Sequence, residues 1–365
     1  MTEPRTVTVT TVVAGGDGLA REDSGRVVFV PGAMPGETVE VALTQERRDF
    51  ARGEVVRILD ASPDRVDPPC PFVAAGCGGC EWQHIALDAQ RRFKRDIVVD
   101  ALRRNARIET PPVDDCVALP AERYRTTVRL GIDRDGRGGF RRSASHDLVV
   151  VDDCLVAHGD IAAQLADGRW PEEHEVVLRV TDRPTVAGRR FVVSPDSFFQ
   201  IRTDGAEVLV DLVAAALQRH DASTVVDLYA GVGLFAATMH DRGFDVVAAV
   251  EGNPSAASDA RHNLAHVCDV VEADVGKWPG TQVDAVIADP SRHGLDKSGV
   301  ATVVHCNPRV VVLVSCDAAA LGRDARLLGE AGYRLERSSP VDLFPHTAHI
   351  EVVSAFVKVS PKVGR

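Results

Sequence analysis

The sequence predicts an α/β protein in which a mainly parallel sheet is preceded by a small β-barrel and a central α+β region. Three observations support this fold class. From residue 205 to residue 359, valine-rich apolar runs alternate with helical segments, which is typical of a parallel sheet covered by helices. One of these runs enters a glycine turn and a helix at residues 224–237. Short Val- and Thr-rich runs separated by Gly, Pro and Asp turns occupy the first 60 residues.

The composition is that of an ordinary globular protein. Of the 365 residues, 45% are hydrophobic and 26% are charged, which gives room for two or three domains. The start, MTEPRTVTV, has no apolar leader, and no apolar run approaches the roughly 18 residues of a membrane span. We therefore expect a cytoplasmic protein, with no membrane partner, in which the eight cysteines serve metal binding or chemistry rather than disulfides.

The charge distribution leaves the question of a nucleic-acid partner open. A net charge of -11 does not suggest one. However, residues 91–107 and 123–142 each contain seven basic side chains. These stretches could contact phosphates, or they could be a solvated helix face and an exposed hairpin.

Residues 1–62 are predicted to form a five-stranded barrel of the OB kind. The runs VTVTTVV, RVVFV, TVEVALTQ and GEVVRIL supply strands between glycine and proline turns. Barrels of this size bind oligonucleotides or act as structural adaptors. The stretch GDGLAREDSGRVVFVPGAMPGE resembles the TRAM domain, an RNA-binding barrel attached to RNA-modifying enzymes, and this resemblance implies RNA contact.

A cysteine-rich loop follows at residues 68–80, PPCPFVAAGCGGC. Cys70, Cys77 and Cys80 lie among glycines that permit tight turns, and thiolates at this density suit iron–sulfur or zinc. Cys154, in VVVDDCLVAH, is the candidate for a fourth ligand. The alternative is a set of reactive thiols without a metal.

A helix over 86–105 and strands over 126–133 and 148–151 are predicted for the rest of the central region. Tyr124 and Phe140 stand among arginines there, where they could stack on unpaired bases or pack beneath a sheet.

The glycine turn, TVVDLYAGVGLFAA, indicates an adenosyl cofactor. Asp227 ends the strand, and Gly231 and Gly233 let the backbone approach a ligand closely. Because neither G-x-G-x-x-G nor a P-loop is present, neither a dinucleotide nor a triphosphate is indicated. Glu251 lies 24 residues after Asp227, about where a Rossmann-like fold places the carboxylate that binds a ribose diol.

The following strands also end in polar or reactive residues, namely Asp274, Asp289 and Cys316. Any one of these could be only a helix cap. Together with Glu251 they favour a cofactor site on a Rossmann-like sheet, and an adenosyl cofactor without phosphates indicates S-adenosylmethionine. Before the predicted helix at 205–219, the segment PDSFFQIR could line the same pocket, although Phe198 could also belong to the core.

The residue types around Cys316 suit methylation of carbon-5 of uracil. A thiolate can add to carbon-6, the resulting enolate can attack a sulfonium methyl group, and a base can then remove the carbon-5 proton. Cys316, Glu351 and Asp289 supply these types, whereas Cys316 alone would more simply be a buried structural thiol. Methylation of an exocyclic amine fits less well because DPSR lacks an aromatic residue, and cytosine-5 chemistry usually needs a second cysteine in that loop.

In chain order, FFQ, DLYAGVG, DPSR, SCD and FPHTAHIE resemble the motifs of the RNA (uracil-5-)-methyltransferases, the TrmA and RumA family, over nearly the whole chain. The resemblance implies a class I methyltransferase domain with Cys316 as the nucleophile and Glu351 as the base. His346 and His349 fall within the last motif, and we interpret them as packing or hydrogen-bonding residues. The resemblance implies contacts to S-adenosylmethionine for Gln200, Tyr229, Glu251 and Asp289. Two further candidates are Gly231, from the glycine turn, and Asp274, from the strand-end pattern.

The same resemblance implies a [4Fe-4S] cluster, which favours iron–sulfur over zinc. Its ligands would be Cys70, Cys77, Cys80 and Cys154. The remaining cysteines match no motif and are expected to be structural: Cys116, Cys268 and Cys306.

Three residues depart from the family pattern. Ser291 replaces the usual second proline, Asp317 replaces the asparagine after the nucleophile, and Arg202 replaces an asparagine after FFQ. Asp317 is expected to raise the pKa of Cys316 unless Arg292 or Arg323 offsets its charge.

The predicted organisation is a TRAM barrel at 1–62, a cluster-bearing central domain at 63–190 and a methyltransferase domain at 191–365. The expected protein is a monomer that methylates a uridine in structured RNA. Ribosomal RNA of the 23S type is favoured over transfer RNA, and a non-catalytic, cluster-stabilised RNA-binding protein is the alternative from another class.

Overall fold

The computed structural model describes residues 3–143, 145–171 and 173–359. The chain divides into two compact units, which we treat separately. The first unit comprises Met1–Ile97, Pro120–Leu178 and Phe344–His349. The second unit comprises Val98–Leu119, Arg179–Leu343 and Ile350–Arg365. The division into three domains remains a prediction. Within the described residues, no helix is both long and apolar enough to cross a membrane.

The first unit begins with a closed five-stranded barrel, as the sequence predicts. Its strands follow the order β1-β2-β3-β5-β4, and β3 pairs with β5 in parallel. Alternate valines of the strands are buried, and each fully buried valine contributes about 1.5–3 kcal/mol through removal of apolar surface from water. The short second strand, GLAR, lies outside the four predicted runs because it contains neither valine nor threonine. The strands are β1 (Arg5–Val12), β2 (Gly18–Arg21), β3 (Val27–Val30), β4 (Thr38–Glu46) and β5 (Phe50–Asp60).

Helix α1 (Leu87–Ala106) confirms the predicted helix and accounts for the first basic stretch. Its buried residues recur at helical spacing, and Lys94 is among them with no exposed surface. Arg92 pairs with Asp64 at 2.6 Å and Arg104 with Asp100 at 2.8 Å. Arg92 and Arg104 therefore belong to a solvated, ion-paired helix face, while Lys94 belongs to the interior.

A four-stranded sheet of order β8-β7-β6-β9 completes the central region, with helix α2 (Gly159–Asp167) beside it in sequence. Two of its strands correspond to the predicted segments. Arginines of the second basic stretch are again paired, as in Arg123 with Asp153 at 2.6 Å and Arg129 with Glu175 at 2.7 Å. The strands are β6 (Thr127–Ile132), β7 (Gly138–Arg141), β8 (Leu148–Val150) and β9 (Glu175–Arg179).

The second unit is built on a seven-stranded sheet of order β14-β13-β12-β15-β16-β18-β17. The first five are parallel, and β18 runs antiparallel between β16 and β17. All residues of β16 are buried, as expected for a central strand with both faces covered. The strands are β12 (Thr224–Leu228), β13 (Asp245–Glu251), β14 (Asp269–Glu272), β15 (Ala285–Ala288), β16 (Val310–Ser315), β17 (Tyr333–Val341) and β18 (Glu351–Lys358); the hairpin β10 (Thr185–Val186) and β11 (Arg189–Arg190) precedes them.

Helices separate most of the strands of this sheet, which confirms the predicted α/β pattern, and a 3-10 turn at Val275–Lys277 lies between β14 and β15. The strand order reverses at β12, from which the chain builds outward to β14 and then returns to β15. In open α/β sheets, ligands bind outside the carboxyl ends of the strands at this reversal point. The helices are α3 (Thr203–Arg219), α4 (Leu234–Asp241), α5 (Pro254–Asn263), α6 (Asp296–Cys306) and α7 (Ala318–Glu330).

Candidate functional site

The residues predicted from the strand-end pattern lie at the carboxyl edge of the parallel strands in the second unit. Leu228 lies opposite both Val250 and Ala288 in the ladder, so the turns after β12, β13 and β15 leave the sheet together. Farther along the sheet, Ser315 lies opposite Val352. Continuing this antiparallel register by one residue places Cys316 opposite Glu351.

The glycine turn after β12 is held by carboxylates of its own strand and of the next strand. Asp227 Oδ2 accepts a hydrogen bond from the Ala236 amide at 2.8 Å, and Glu251 Oε2 accepts one from the Gly231 amide at 2.8 Å. Gly233 has a φ of 91°, and a Cβ there would lie 2.9 Å from the Leu264 side chain. This position therefore requires glycine for both conformation and space.

Asp227 lies beneath this turn and has no exposed surface. Its Oδ1 has no hydrogen-bond partner among the described residues. Burial, with smaller contributions from the charges of Asp289 and Glu251, raises the pKa of Asp227 to about 8. Asp227 is therefore a largely neutral acid at pH 7, a property that its position at a strand end did not predict.

Glu251 and Asp274 occupy the neighbouring strand ends. Besides Gly231, Glu251 accepts a hydrogen bond through Oε1 from the Asn253 amide at 2.6 Å. Each carboxylate oxygen retains a lone pair that a hydroxyl group can use. Asp274 is exposed and accepts a hydrogen bond from the Gly276 amide at 2.9 Å.

The FFQ segment contributes Gln200 to the same edge. Gln200 is buried, and its Nε2 donates to Asp289 Oδ2 at 3.4 Å. Phe198 is 68% exposed, so the alternative that it belongs to the core is wrong. Phe199 instead packs on Phe191, with ring centroids 5.7 Å apart.

Cys316, Asp289 and Glu351 form an electrostatically coupled group. Burial raises the pKa of Cys316 to about 11, and the negative charges of Glu351 and Asp289 contribute, while Arg292 lowers it. Burial raises the pKa of Asp289 to about 7. Burial also raises the pKa of Glu351 well above its ordinary value, and Asp289 adds to this effect. The charges of two acidic side chains thus act on one thiol.

The departures from the family pattern have local explanations. Asp317 caps helix α7 by accepting a hydrogen bond from the Ala320 amide at 2.7 Å, so burial, Glu351 and Asp289, rather than Asp317, account for the raised pKa of Cys316. Arg323 is engaged with Asp324 at 2.8 Å, so the cation that lowers the Cys316 pKa is Arg292.

Arg202 is almost fully buried and pairs with Asp204 through Nε at 2.8 Å and Nη2 at 2.6 Å. A Cβ on Gly205 would lie 2.8 Å from the Arg202 side chain, so this glycine leaves room for the arginine. Both Arg202 and Gly205 therefore shape the start of α3.

The four cysteines predicted as cluster ligands line one pocket of the first unit, which measures about 500 Å³ including its open mouth. Burial raises the pKa of Cys80 to about 12, and Cys154 and Cys77 add to this effect. Gln83 Oε1 also accepts a hydrogen bond from the Cys70 amide at 3.0 Å. Among the described residues, no group of three or more His, Cys, Asp or Glu side chains is arranged to hold a metal ion.

The aromatic residues of the central region divide between two environments. Tyr124 is buried, and its hydroxyl donates to the Pro345 carbonyl at 3.2 Å, so the packing interpretation holds for it. Phe140 lines the cysteine pocket, as does Arg125. Arg125 Nε is buried without a hydrogen-bond partner in the part of the chain that the structure describes.

The strand order and the glycine turn define a class I methyltransferase fold in the second unit. Residues 3–56 match the TRAM domain family. The chain is 34% identical to an uncharacterized RNA methyltransferase of Streptomyces coelicolor, with 95% of this chain and 91% of that relative covered. It is 31% identical to the 23S rRNA (uracil(1939)-C(5))-methyltransferase RlmD of Shewanella amazonensis, with 94% of each chain covered.

A solved structure has a similar fold over nearly the whole chain. It is the tRNA (uracil-54, C5)-methyltransferase of Pyrococcus abyssi in complex with S-adenosyl-L-homocysteine, with a TM-score of 0.76 and 23% identity. The match covers 97% of this chain and 100% of that one. The relatives at 34% and 31% identity, matched over more than nine-tenths of this chain, show that the chain belongs to the RNA (uracil-5-)-methyltransferase family.

Proposed function

We propose that this protein transfers a methyl group from S-adenosylmethionine to carbon-5 of a uridine in structured RNA. The main support for this proposal is the register of β16 and β18. Ser315 pairs with Val352, so one further step along the register brings Cys316 opposite Glu351, and the charge of Asp289 acts on both. The names of the relatives support the substrate class. We propose further that the protein acts as a cytoplasmic monomer with a TRAM barrel, a central domain and a methyltransferase domain.

The methyl donor would lie against the glycine turn. Glu251 would bind the ribose hydroxyls through its remaining lone pairs, and the exposed Asp274 would accept a hydrogen bond from the adenine amine. Gly231 and Tyr229 would line the turn, while Gln200 and Asp289 would contact the methionine part. Bound S-adenosylmethionine supplies an electrophilic methyl group and a positive charge.

Cys316 would act as the nucleophile. It is only partly buried, so its thiol proton can leave to solvent. The thiolate forms a bond to carbon-6 of uracil, and the electron pair of the 5,6 double bond moves into an enolate. Carbon-5 then forms a bond to the methyl group as the carbon–sulfur bond of the donor breaks. Arg292 favours the thiolate, and a cationic donor would act in the same direction.

Glu351 would complete the reaction as the base. It removes the carbon-5 proton, the 5,6 double bond reforms, and the bond between carbon-6 and Cys316 breaks. Its raised pKa makes its carboxylate a stronger proton acceptor than an exposed glutamate. The target base must leave its stack to reach this partly buried edge.

The four-cysteine pocket would hold a [4Fe-4S] cluster through Cys70, Cys77, Cys80 and Cys154. The four thiols line one pocket, and cysteine thiolates are the usual ligands of iron–sulfur clusters. The cluster would cross-link the cysteine loop to the segment that contains Cys154, and we assign it no redox step.

We favour 23S ribosomal RNA because a relative that carries this substrate in its name matches 94% of the chain at 31% identity. Mass mapping of 23S ribosomal RNA and bulk transfer RNA from a strain lacking the gene tests this choice. The expected result is loss of a methyl group from one or more ribosomal uridines, restored by wild type but not by Cys316→Ala. Loss of a methyl group from transfer RNA alone would support uridine methylation but would make transfer RNA, rather than 23S ribosomal RNA, the substrate. Loss from neither would favour the non-catalytic RNA-binding protein.

A further inference from the structure

The segment Phe344–His349, which we term the tail motif, is part of the first unit. The chain then continues through Ile350 to Glu351, the first residue of β18. A short segment without strand or helix needs partners for its backbone polar groups when it is buried. His346 and Thr347 are both buried, so the partners of the tail motif determine its conformation.

Helix α1 and the following segment provide several of these partners. Lys94 Nζ donates to the Phe344 carbonyl at 2.9 Å, and Tyr124 Oη donates to the Pro345 carbonyl at 3.2 Å. Gln90 Oε1 accepts a hydrogen bond from the His346 amide at 2.8 Å. The burial of Lys94 and Gln90 is thus explained by a segment about 250 residues later in the chain.

The residues directly after Cys80 provide further partners for the tail motif. The Trp82 amide donates to the His346 carbonyl at 2.9 Å. Glu81 Oε1 accepts a hydrogen bond from the Ala348 amide at 2.8 Å. The side chain of Glu81 is therefore attached to the backbone three residues before Glu351, although Glu81 is itself exposed.

The turn between β1 and β2 contacts both Trp82 and the tail motif. Trp82 Nε1 donates to the Gly16 carbonyl at 3.1 Å. A Cβ on Gly16 would lie 2.7 Å from Ala348 Cβ and 3.0 Å from Trp82 Nε1. The side chain of Ala348 thus packs closely against Gly16, and the amide of Ala348 donates a hydrogen bond to the Glu81 carboxylate.

We propose that Glu81 is a positioning residue for the base, which acts by fixing the backbone of the tail motif next to Glu351. This inference rests on the proposed function, in which Glu351 removes the carbon-5 proton. Cys316 directly follows β16, which ends at Ser315, and none of the tail-motif hydrogen bonds described above involves it. Loss of the Glu81 hydrogen bond should therefore slow proton removal more than thiolate addition and methyl transfer.

Three variants of the full-length protein test this inference. Glu81→Ala removes the acceptor, Glu81→Gln keeps an oxygen acceptor, and Glu54→Ala changes an exposed glutamate on β5 as the matched control. Melting temperatures verify that each variant is folded. Glu81→Ser tests the same hydrogen bond if the alanine variant unfolds.

Single-turnover reactions on in vitro transcribed 23S ribosomal RNA separate the two steps. S-adenosylhomocysteine formation reports addition and methyl transfer, and decay of the protein–RNA adduct on a denaturing gel reports proton removal and release. For Glu81→Ala we expect the first rate within about twofold of wild type and the second about tenfold slower, which corresponds to about 1.4 kcal/mol. Glu81→Gln should restore release to within about threefold, and Glu54→Ala should match wild type.

Equal slowing of both steps, or no change in either, would overturn the positioning role. A different result, obtained with the wild-type protein, would contradict the proposed function. If wild-type protein forms no adduct with 5-fluorouridine RNA, the covalent reaction itself is absent. If wild type is trapped and Glu81→Ala releases product normally, only the role of Glu81 is wrong.

Discussion

The candidate nucleophile and the cysteine pocket are two sites in which burial has the same effect on a thiol but the neighbours differ. Burial raises the pKa of Cys316 to about 11 and that of Cys80 to about 12. Cys316 is surrounded by Glu351, Asp289 and Arg292, whereas the groups that act on Cys80 include two further thiols. Because burial raises both pKa values, the difference between the two sites lies in the neighbouring groups. Carboxyl groups beside Cys316 suit proton transfer, whereas further thiols beside Cys80 suit the cluster that we propose.

The largest expected effect in the catalytic site is that of Glu351→Gln. The amide cannot accept the carbon-5 proton, so turnover should fall by about 10²–10⁴-fold. Because addition and methyl transfer precede this step, a methylated protein–RNA adduct should accumulate on natural uridine RNA, as measured by denaturing gel and mass spectrometry. Glu330→Gln, on the exposed end of α7, is the control. Loss of activity without any adduct would show that Glu351 acts earlier than we propose.

The corresponding change in the cysteine pocket is Cys70→Ser. We expect loss of the iron-associated visible absorbance and a lower melting temperature for the first unit, because the cross-link between the cysteine loop and Cys154 is lost. Cys268→Ser, at a partly buried thiol of the second unit, should leave the spectrum unchanged. An unaltered spectrum in Cys70→Ser would remove the cluster assignment and leave unligated thiols.

A smaller effect is expected from Arg292→Met, which removes the cation that lowers the Cys316 pKa. At a pH below the thiol pKa, a higher pKa leaves less thiolate, so trapping at pH 7.5 should slow by about three- to tenfold. Because Arg292 is exposed, solvent screens its charge and limits the effect. Saturating RNA removes any contribution from affinity, and Arg292→Lys should retain most of the rate. A rate equal to wild type would exclude Arg292 from thiolate stabilisation.

A separate prediction, on stability rather than on activity, concerns Asp227→Asn and the pH dependence of the free energy of unfolding. The pKa of Asp227 rises from 3.8 to about 8 on folding, so the native state binds the extra proton between these values. Its stabilising contribution is complete below about pH 4, declines as pH rises, and is lost above about pH 8. Asparagine mimics the neutral acid, so the variant should lose less stability between pH 5 and pH 8 in denaturant titrations. An unchanged slope with pH would contradict a neutral Asp227.

Much of the second unit could be predicted because its strands are continuous valine-rich runs that end in polar residues. The positions of Glu251, Asp289 and Cys316 at one sheet edge follow from this pattern and from parallel topology. The neutral state of Asp227 could not be predicted, since it depends on complete burial beneath the glycine turn. Likewise, Asp317 was expected to act on Cys316, but its carboxylate points to the α7 amide that it caps.

In the first unit, the sequence did not predict the side chains that form hydrogen bonds with residues far away in the chain. Lys94 was one charge in a basic run, yet it is buried against the Phe344 carbonyl. Glu81 had no motif of its own, and only its position after Cys80 could have drawn attention to it. Local patterns identify elements, but contacts between distant segments require the folded chain.

The most direct test of the account is covalent trapping with 5-fluorouridine in 23S ribosomal RNA and S-adenosylmethionine. A base cannot remove fluorine as it removes a proton, so a catalytic protein should remain attached to the RNA through Cys316. We predict a denaturant-stable adduct for wild type, mapped by mass spectrometry to the peptide that contains Cys316, and no adduct for Cys316→Ala. Absence of an adduct with wild type on this RNA and on bulk transfer RNA, or an equal adduct with Cys316→Ala, would contradict it.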